Sequence, residues 1–325
     1  MAEFTYIRAV NAALGWALAE FPAALVFGED VALPNGPFGA TKGLRAEFGE
    51  RVFDTPISEA AMLGTALGAG VAGLRPVVEV MYGDFLLVAM DQIVNQIANA
   101  QYVSGGSLVP RLTVRTQQGA TPGSCAQHSQ SLEALFAHIP GWRVGLPATA
   151  QDAYDMLRAA ITSDDPVLVM ESRRLYPTKG MVNLSAPVPD VGGCRIARSG
   201  ESFTLVTWST MVAPALSAAE EMAAEGIDGE VIDARWLAPL DVDSILTSVA
   251  KTRRLVVVHE ANRTGGFGAE VVARVTEELG RDLERVPLRI AAPDLRIPAA
   301  PRLSSAVLPD AAAISDQIRC WLDSP

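Results

Sequence analysis

Residues 53–80 read "FDTPISEAAMLGTALGAGVAGLRPVVEV". From Ala60 to Leu74 there is no charge, and the small residues recur at helical spacing. The run ends at Arg75, and "PVVEVMY" (76–82) reads as a buried strand. A helix leading directly into such a strand is half of a βαβ unit. Glu59 stands at the mouth of this apolar run, where burying a charge is costly. It is either a helix-start residue, with Ser58 or Asp54 as cap, or a carboxyl whose protonation the site controls. "GAGVAG" (68–73) has the G-x-G-x-x-G spacing, but it ends a helix and precedes a strand. A dinucleotide fingerprint needs the opposite order. An Ala/Gly helix face open to close approach is the better reading.

The same alternation extends in both directions. "AALVFGE" (23–29), "RLTVRT" (111–116), "WRVGLP" (142–147) and "PVLVMES" (166–172) read as strands, and 4–20, 58–73, 84–101, 131–138 and 149–163 as helices. "YPTKGMVNLSAPVPDVGGC" (176–194) carries three prolines and three glycines without periodicity and reads as a linker. Beyond it, strands at 203–208, 229–234, 254–260 and 286–291 alternate with helices at 210–225, 241–250, 267–280 and 309–322. The expected fold is α/β, with two doubly wound domains: residues 1–180, a linker at 181–195, and residues 196–325.

Composition narrows the function. With 26 basic against 37 acidic side chains the formal net charge is −11, and no basic stripe suggests nucleic acid. Three widely spaced cysteines argue against a disulfide framework and fit a reducing cytoplasm. No leader pattern opens the sequence, and the charge-free run is too short for a membrane span. His128, His138 and His259 do not stand at zinc-ligand spacing. His128, in "CAQHSQS", precedes Ser131, a candidate N-cap. It is either placed to meet a ligand or a solvated loop residue. Asp84 is a candidate cap for the helix from 84, whose stripe is Leu86, Met90, Ile93 and Ile97. Phe85 is either core or a stacking surface for a flat ring. "GGFGAEV" (265–271), between strand and helix, is either an anion loop or a turn.

Several long segments, in order, resemble one family over nearly the whole chain. They include "VFGEDV", residues 43–80, "AMDQIVNQIANAQYVSGG", "AQHSQSLEALFAHIPGWRVGLP", "DDPVLVMESRRLY" and "TRRLVVVHEANRTGGFGAE". The chain looks like the beta chain of the thiamine-diphosphate-dependent 2-oxoacid dehydrogenases, the pyruvate, branched-chain and acetoin group. The resemblance implies a transketolase-type pyrimidine-binding domain followed by a transketolase C-terminal domain. It implies thiamine diphosphate with magnesium, the metal held mainly by an alpha chain, because "GDF" (83–85) lacks the downstream asparagines of the diphosphate motif. It further implies an α2β2 assembly, a lipoyl acyltransferase core as partner, and a small 2-oxoacid as substrate.

Residue by residue, Glu59 matches the carboxyl that hydrogen-bonds the cofactor's aminopyrimidine. Its neighbours Ile57, Ala60, Ala61 and Met62 are expected to desolvate it and raise its pKa. Phe85 matches the residue packed on the pyrimidine, with Ile57 and Met81 lining the pocket, and Glu29 matches an acidic residue near the cofactor. His128 matches the histidine near the reacting carbon or at acyl transfer to lipoamide. Some relatives hold potassium on backbone oxygens, and the matching positions are Leu112, Ala160, Ile161, Ser163 and Asp165. The chain departs from relatives in the loop before "QHSQ", at Ser163, and at "PAA" in its tail. An acetoin-cleaving enzyme and a non-catalytic subunit of the same fold are the alternative readings.

Overall fold

The computed structural model describes residues 1–32 and 36–324. No described helix is long and apolar enough to cross a membrane. The chain divides into two compact units, Met1–Gln118 with Leu135–Val191, and Gly119–Ala134 with Gly192–Pro325. The alternation of strands and helices places 119–134 in the first domain, whereas its tertiary contacts place it in the second unit.

The elements of the first unit are β1 (Ala2–Thr5), α1 (Tyr6–Glu20), β2 (Ala24–Gly28), α2 (Leu44–Phe48), β3 (Val52–Asp54), α3 (Glu59–Val71), β4 (Arg75–Val80), α4 (Ala98–Val103), β5 (Thr113–Gln118), α5 (Glu133–Ala137, which begins in the second unit), β6 (Arg143–Gly145), α6 (Ala150–Thr162), β7 (Val167–Ser172) and β8 (Lys179–Val182). Six strands run parallel in the order β6-β7-β5-β4-β2-β3. Their near-continuous apolar runs, such as Val77–Val78 and Val167–Met170, are buried, as strands covered on both faces require. Helix α6 starts at a reciprocal cap: Thr149 Oγ1 accepts the Asp152 N–H at 3.1 Å, and the Asp152 carboxylate accepts the Thr149 N–H at 3.1 Å.

Two expectations change here. The stretch 84–101 is not one α-helix: Gly83–Ala89 is a 3-10 turn, Gln92–Ile97 a π-helix, and only Ala98–Val103 closes as α. The apolar stripe survives, with Leu86, Ile93 and Ile97 buried and Met90 half-buried, so burial holds the segment while its backbone departs from 3.6 periodicity. The linker stretch contains β8, which pairs antiparallel with β1. Its prolines flank the strand and leave the ladder intact.

The second unit comprises β9 (Arg195–Arg198), β10 (Phe203–Thr207), α7 (Val212–Ala223), β11 (Gly229–Asp233), β12 (Trp236–Ala238), α8 (Val242–Thr252), β13 (Leu255–Asn262), α9 (Gly268–Leu279), β14 (Leu288–Ala292), α10 (Pro301–Val307) and α11 (Ala311–Asp323). Its five-stranded sheet has the order β14-β13-β10-β11-β9, parallel except for β9. Phe203, Leu205, Val231 and Val258 from the sheet pack with Met211 just ahead of α7, Met222 of α7, and Ile314 and Ile318 of α11. The "GGFG" turn closes on the buried His259 ring: a Cβ at Gly266 would lie 2.5 Å from its Cε1. Packing on that ring is what this turn does in the fold.

Candidate active site

In the first unit β2 is followed along the chain by β3 on one side and has β4 on the other. That reversal of strand order opens a crevice outside the carboxyl ends of β2 and β4, where open α/β sheets bind ligands. Glu29 follows β2 directly and Met81 follows β4. Glu59 is the first residue of α3, where the helix N-terminus favours a negative charge. Ser58 is the N-cap residue but makes no side-chain cap bond. Asp54, the other candidate cap, instead accepts the Ala32 N–H at 2.6 Å.

Glu29 and Glu59 are both buried, 8% and 6% exposed. Oε1 of Glu29 lies away from solvent with no hydrogen-bond partner. Burial, and then the Glu59 carboxyl, push the Glu29 pKa upward. A buried, unsatisfied carboxyl oxygen beside a second carboxyl is costly unless a proton or a ligand group meets it. Of the neighbours expected to shield Glu59 only Met62 is buried. Ile57 is 81% exposed, because it lies in the bend ahead of Ser58 rather than on the helix.

Phe85 is carried by a strained turn. Tyr82 has φ 66, a left-handed backbone that is rare for an aromatic residue. Its N–H donates to Gln117 Oε1 at 3.2 Å, and its carbonyl accepts the Phe85 N–H at 3.0 Å. The two rings meet edge to face, 6.1 Å apart at 79°. Asp84 is buried inside the 3-10 turn and is not the N-cap, which is Tyr82.

Residues 2–179 match the family described as transketolase, pyrimidine binding domain, and residues 192–314 match transketolase, C-terminal domain. The chain is 43% identical to the pyruvate dehydrogenase E1 component subunit beta of Leifsonia xyli, covering 96% of this chain and 93% of that one. It is 40% identical to the 3-methyl-2-oxobutanoate dehydrogenase subunit beta of Mycobacterium tuberculosis, covering 99% and 93%. It is 38% identical to the acetoin:2,6-dichlorophenolindophenol oxidoreductase subunit beta of Cupriavidus necator, covering 96% and 95%. The chain belongs to the 2-oxoacid dehydrogenase beta-subunit family. A solved split-gene transketolase, described as an inactive beta4 tetramer, shares its fold with TM-score 0.78 at 23% identity, over 98% of both chains.

Within the residues that match the pyrimidine-binding domain, Glu29 and Met81 follow the carboxyl ends of β2 and β4, the turn bearing Phe85 comes next after Met81, and Glu59 opens the helix after β3. His128, half-buried, belongs to the second unit. The five backbone positions matched to potassium are partly served by the chain itself. The Leu112 carbonyl accepts the Val167 N–H at 3.1 Å. Arg75 Nη1 donates to the Ile161 and Ser163 carbonyls at 2.9 and 3.4 Å, and Asp165 pairs with Arg143. A guanidinium thus already meets two of those oxygens at the negative end of α6.

Sequence reasoning passed over one buried network of this beta-subunit domain. Arg115, on β5, pairs with Glu79 on β4 and, through Nε and Nη2 at 2.9 and 2.8 Å, with Glu171 on β7. Tyr176 donates to Glu171 at 2.7 Å, and Gln117 Nε2 donates to Glu79 at 3.1 Å. Burial opposes the Arg115 charge, but the two carboxylates outweigh it and raise its pKa. The signal was present: "VVEV", "TVRT" and "VMES" each carry one charge inside an apolar strand.

Proposed function

We propose that this chain is the beta subunit of a 2-oxoacid dehydrogenase, acting with a separate alpha chain in an α2β2 assembly on pyruvate or a branched-chain 2-oxoacid. The observation that carries the reading is the pair of buried carboxyls, Glu29 and Glu59, at the switch point of a pyrimidine-binding domain. The orphaned Glu29 oxygen and the buried Glu59 fit the aminopyrimidine end of thiamine diphosphate. That cofactor, when bound with magnesium held mainly by the alpha chain, supplies the electron sink that lets a 2-oxoacid lose carbon dioxide.

In this reading Glu59 holds a proton at a ring nitrogen from the N-terminus of α3. Burial and the neighbouring Glu59 carboxyl shift Glu29 toward its protonated form. Phe85 offers a ring face for stacking, and Met81 and Ile57 contribute apolar surface. His128 acts at the reacting carbon or in passing the acyl group to lipoamide on the acyltransferase core. A cytoplasmic location accompanies this chemistry, and the three free cysteines are in keeping with it.

The test is the αβ assembly, purified with thiamine diphosphate and magnesium. Glu59→Gln should abolish decarboxylation while the assembly stays intact, and full activity in that variant would sink the assignment. The 38% identity to an acetoin oxidoreductase subunit supports acetoin cleavage as a second reading. A panel of pyruvate, branched-chain 2-oxoacids and acetoin with an artificial electron acceptor separates the two.

A further inference from the structure

The second unit repeats the topology that makes a ligand crevice. Strand β10 is followed along the chain by β11 on one side and has β13 on the other. The carboxyl ends of β10 and β13 are therefore its switch point, the place where an open α/β sheet takes a ligand. Trp208 and Thr210 leave β10 there, and Glu260 stands near the end of β13. All three are engaged with one another or with the unit's own segment 119–134. Glu260 accepts the Ala120 N–H through Oε1 at 2.5 Å and the Thr210 hydroxyl through Oε2. Trp208 Nε1 donates to Glu133 Oε1 at 3.2 Å, and Arg296 donates to Gln130 Oε1.

The segment is shaped to receive these contacts. Gly119 has φ +84, and a Cβ on it would fall 2.6 Å from Glu260 Oε1, so only glycine fits. Its N–H donates to the Gln130 carbonyl at 3.1 Å, which closes a loop with His128 two residues inside the closure. The holder is packed against aromatic rings on its other side. Trp208 stacks on His259 at 5.5 Å and 6°, and Phe267 meets it edge-on at 6.0 Å. Ser209, between Trp208 and Thr210, is held at φ +52, which an L-residue adopts only at a cost that surrounding contacts must offset.

We infer that the switch-point crevice of the second unit serves as the holder of the His128 loop, with Glu260, Thr210 and Trp208 as positioning residues for His128. The unit takes a segment of its own chain where a comparable sheet would take a ligand. The inference rests on the functional reading of His128 given above. Its physical basis is that a bond donated by a backbone N–H to a carboxylate fixes loop geometry, and small displacements of a catalytic side chain cost large factors in rate.

The experiment uses the αβ holoenzyme with Glu260→Gln, Thr210→Val and Trp208→Phe, the first two being near-isosteric in case loss of the indole perturbs folding. Each should lower kcat about tenfold or more. The apparent affinity for thiamine diphosphate should stay within about twofold, since uniform binding by the first unit's residues is untouched. In a His128→Ala background the same substitutions should cost no further activity, and amide exchange across 119–130 should speed up in all three. Additive losses in that background, or unchanged exchange, would overturn the inference. If His128→Ala alone keeps full activity, the reading of His128 fails. The exchange data then decide the anchoring by themselves.

Discussion

Gln117 ties Tyr82 to the buried charges of the first sheet. Its Oε1 accepts the Tyr82 N–H at 3.2 Å while its Nε2 donates to Glu79 at 3.1 Å. One amide thus supports the left-handed turn that presents Phe85 and satisfies a carboxylate paired with Arg115. Gln117→Leu removes both bonds, and the loss should be about 1–3 kcal/mol of stability. Cofactor binding should weaken with it, because Phe85 loses its fixed turn. Urea unfolding and calorimetric titration of thiamine diphosphate into the αβ assembly measure the two effects.

Arg115→Met should be far more damaging. It strands Glu79 and Glu171, both buried, with no cation between them. Breaking a buried ion network by deleting one partner costs about 3–5 kcal/mol. Replacing all three charges together with apolar residues of similar volume should recover part of that loss, because no buried charge is then left unpaired, although the Tyr176 hydroxyl and the Gln117 amide lose their acceptors. Denaturant midpoints of the single and triple variants provide the comparison.

Glu29 gives the stability a pH slope of a particular sign. Its folded-state pKa is raised by burial and by the Glu59 carboxyl, so the folded chain binds this proton more tightly than the unfolded chain does. Stability attributable to this group is complete below the ordinary carboxylate range and declines as pH rises through the raised value. Glu29→Gln should remove that decline and stabilise the chain near neutrality. Urea titrations between about pH 4 and 7 span the ordinary carboxylate range and the region above it.

His259 acts in the opposite direction. Burial lowers its pKa to about 4, and it stays neutral in the folded state. The unfolded chain takes up this proton near pH 6.5, so stability is full above that value and falls as pH drops toward about 4. The loss across this window should approach roughly 3 kcal/mol. His259→Phe, which keeps a flat ring beside Trp208, should flatten the acid limb. Thermal melts at steps of pH would show it.

Part of the candidate site is marked by local signals in the chain. Glu59 stands out as a charge at the mouth of an apolar run, whereas Glu29 and Met81 are picked out only by the resemblance to the family. Gln117 and Arg115 were passed over because their roles depend on which strands become neighbours. The β5 pairing with β4 and β7 joins residues 36 and 56 positions apart, and no periodicity encodes such a partner. The helix expected over 84–101 failed for a related reason. Its apolar stripe is real, but a strained turn at Tyr82 and a π-helix at Gln92–Ile97 set its backbone.

By itself the amino-acid order determined the alternation of buried strands and amphipathic helices, hence two α/β units, and the placement of carboxyls at strand and helix ends. Those features follow from local periodicity and from the cost of burying charge. Only the tertiary structure decided that residues 119–134 belong to the second unit. The small and polar composition of that segment reads as a loop but does not say which unit it joins. Its membership is set by Glu260, more than a hundred positions along the chain, whose carboxylate accepts the Ala120 N–H. A hydrogen bond of that kind exists only once β13 has been placed beside β10 and its carboxyl end faces the segment.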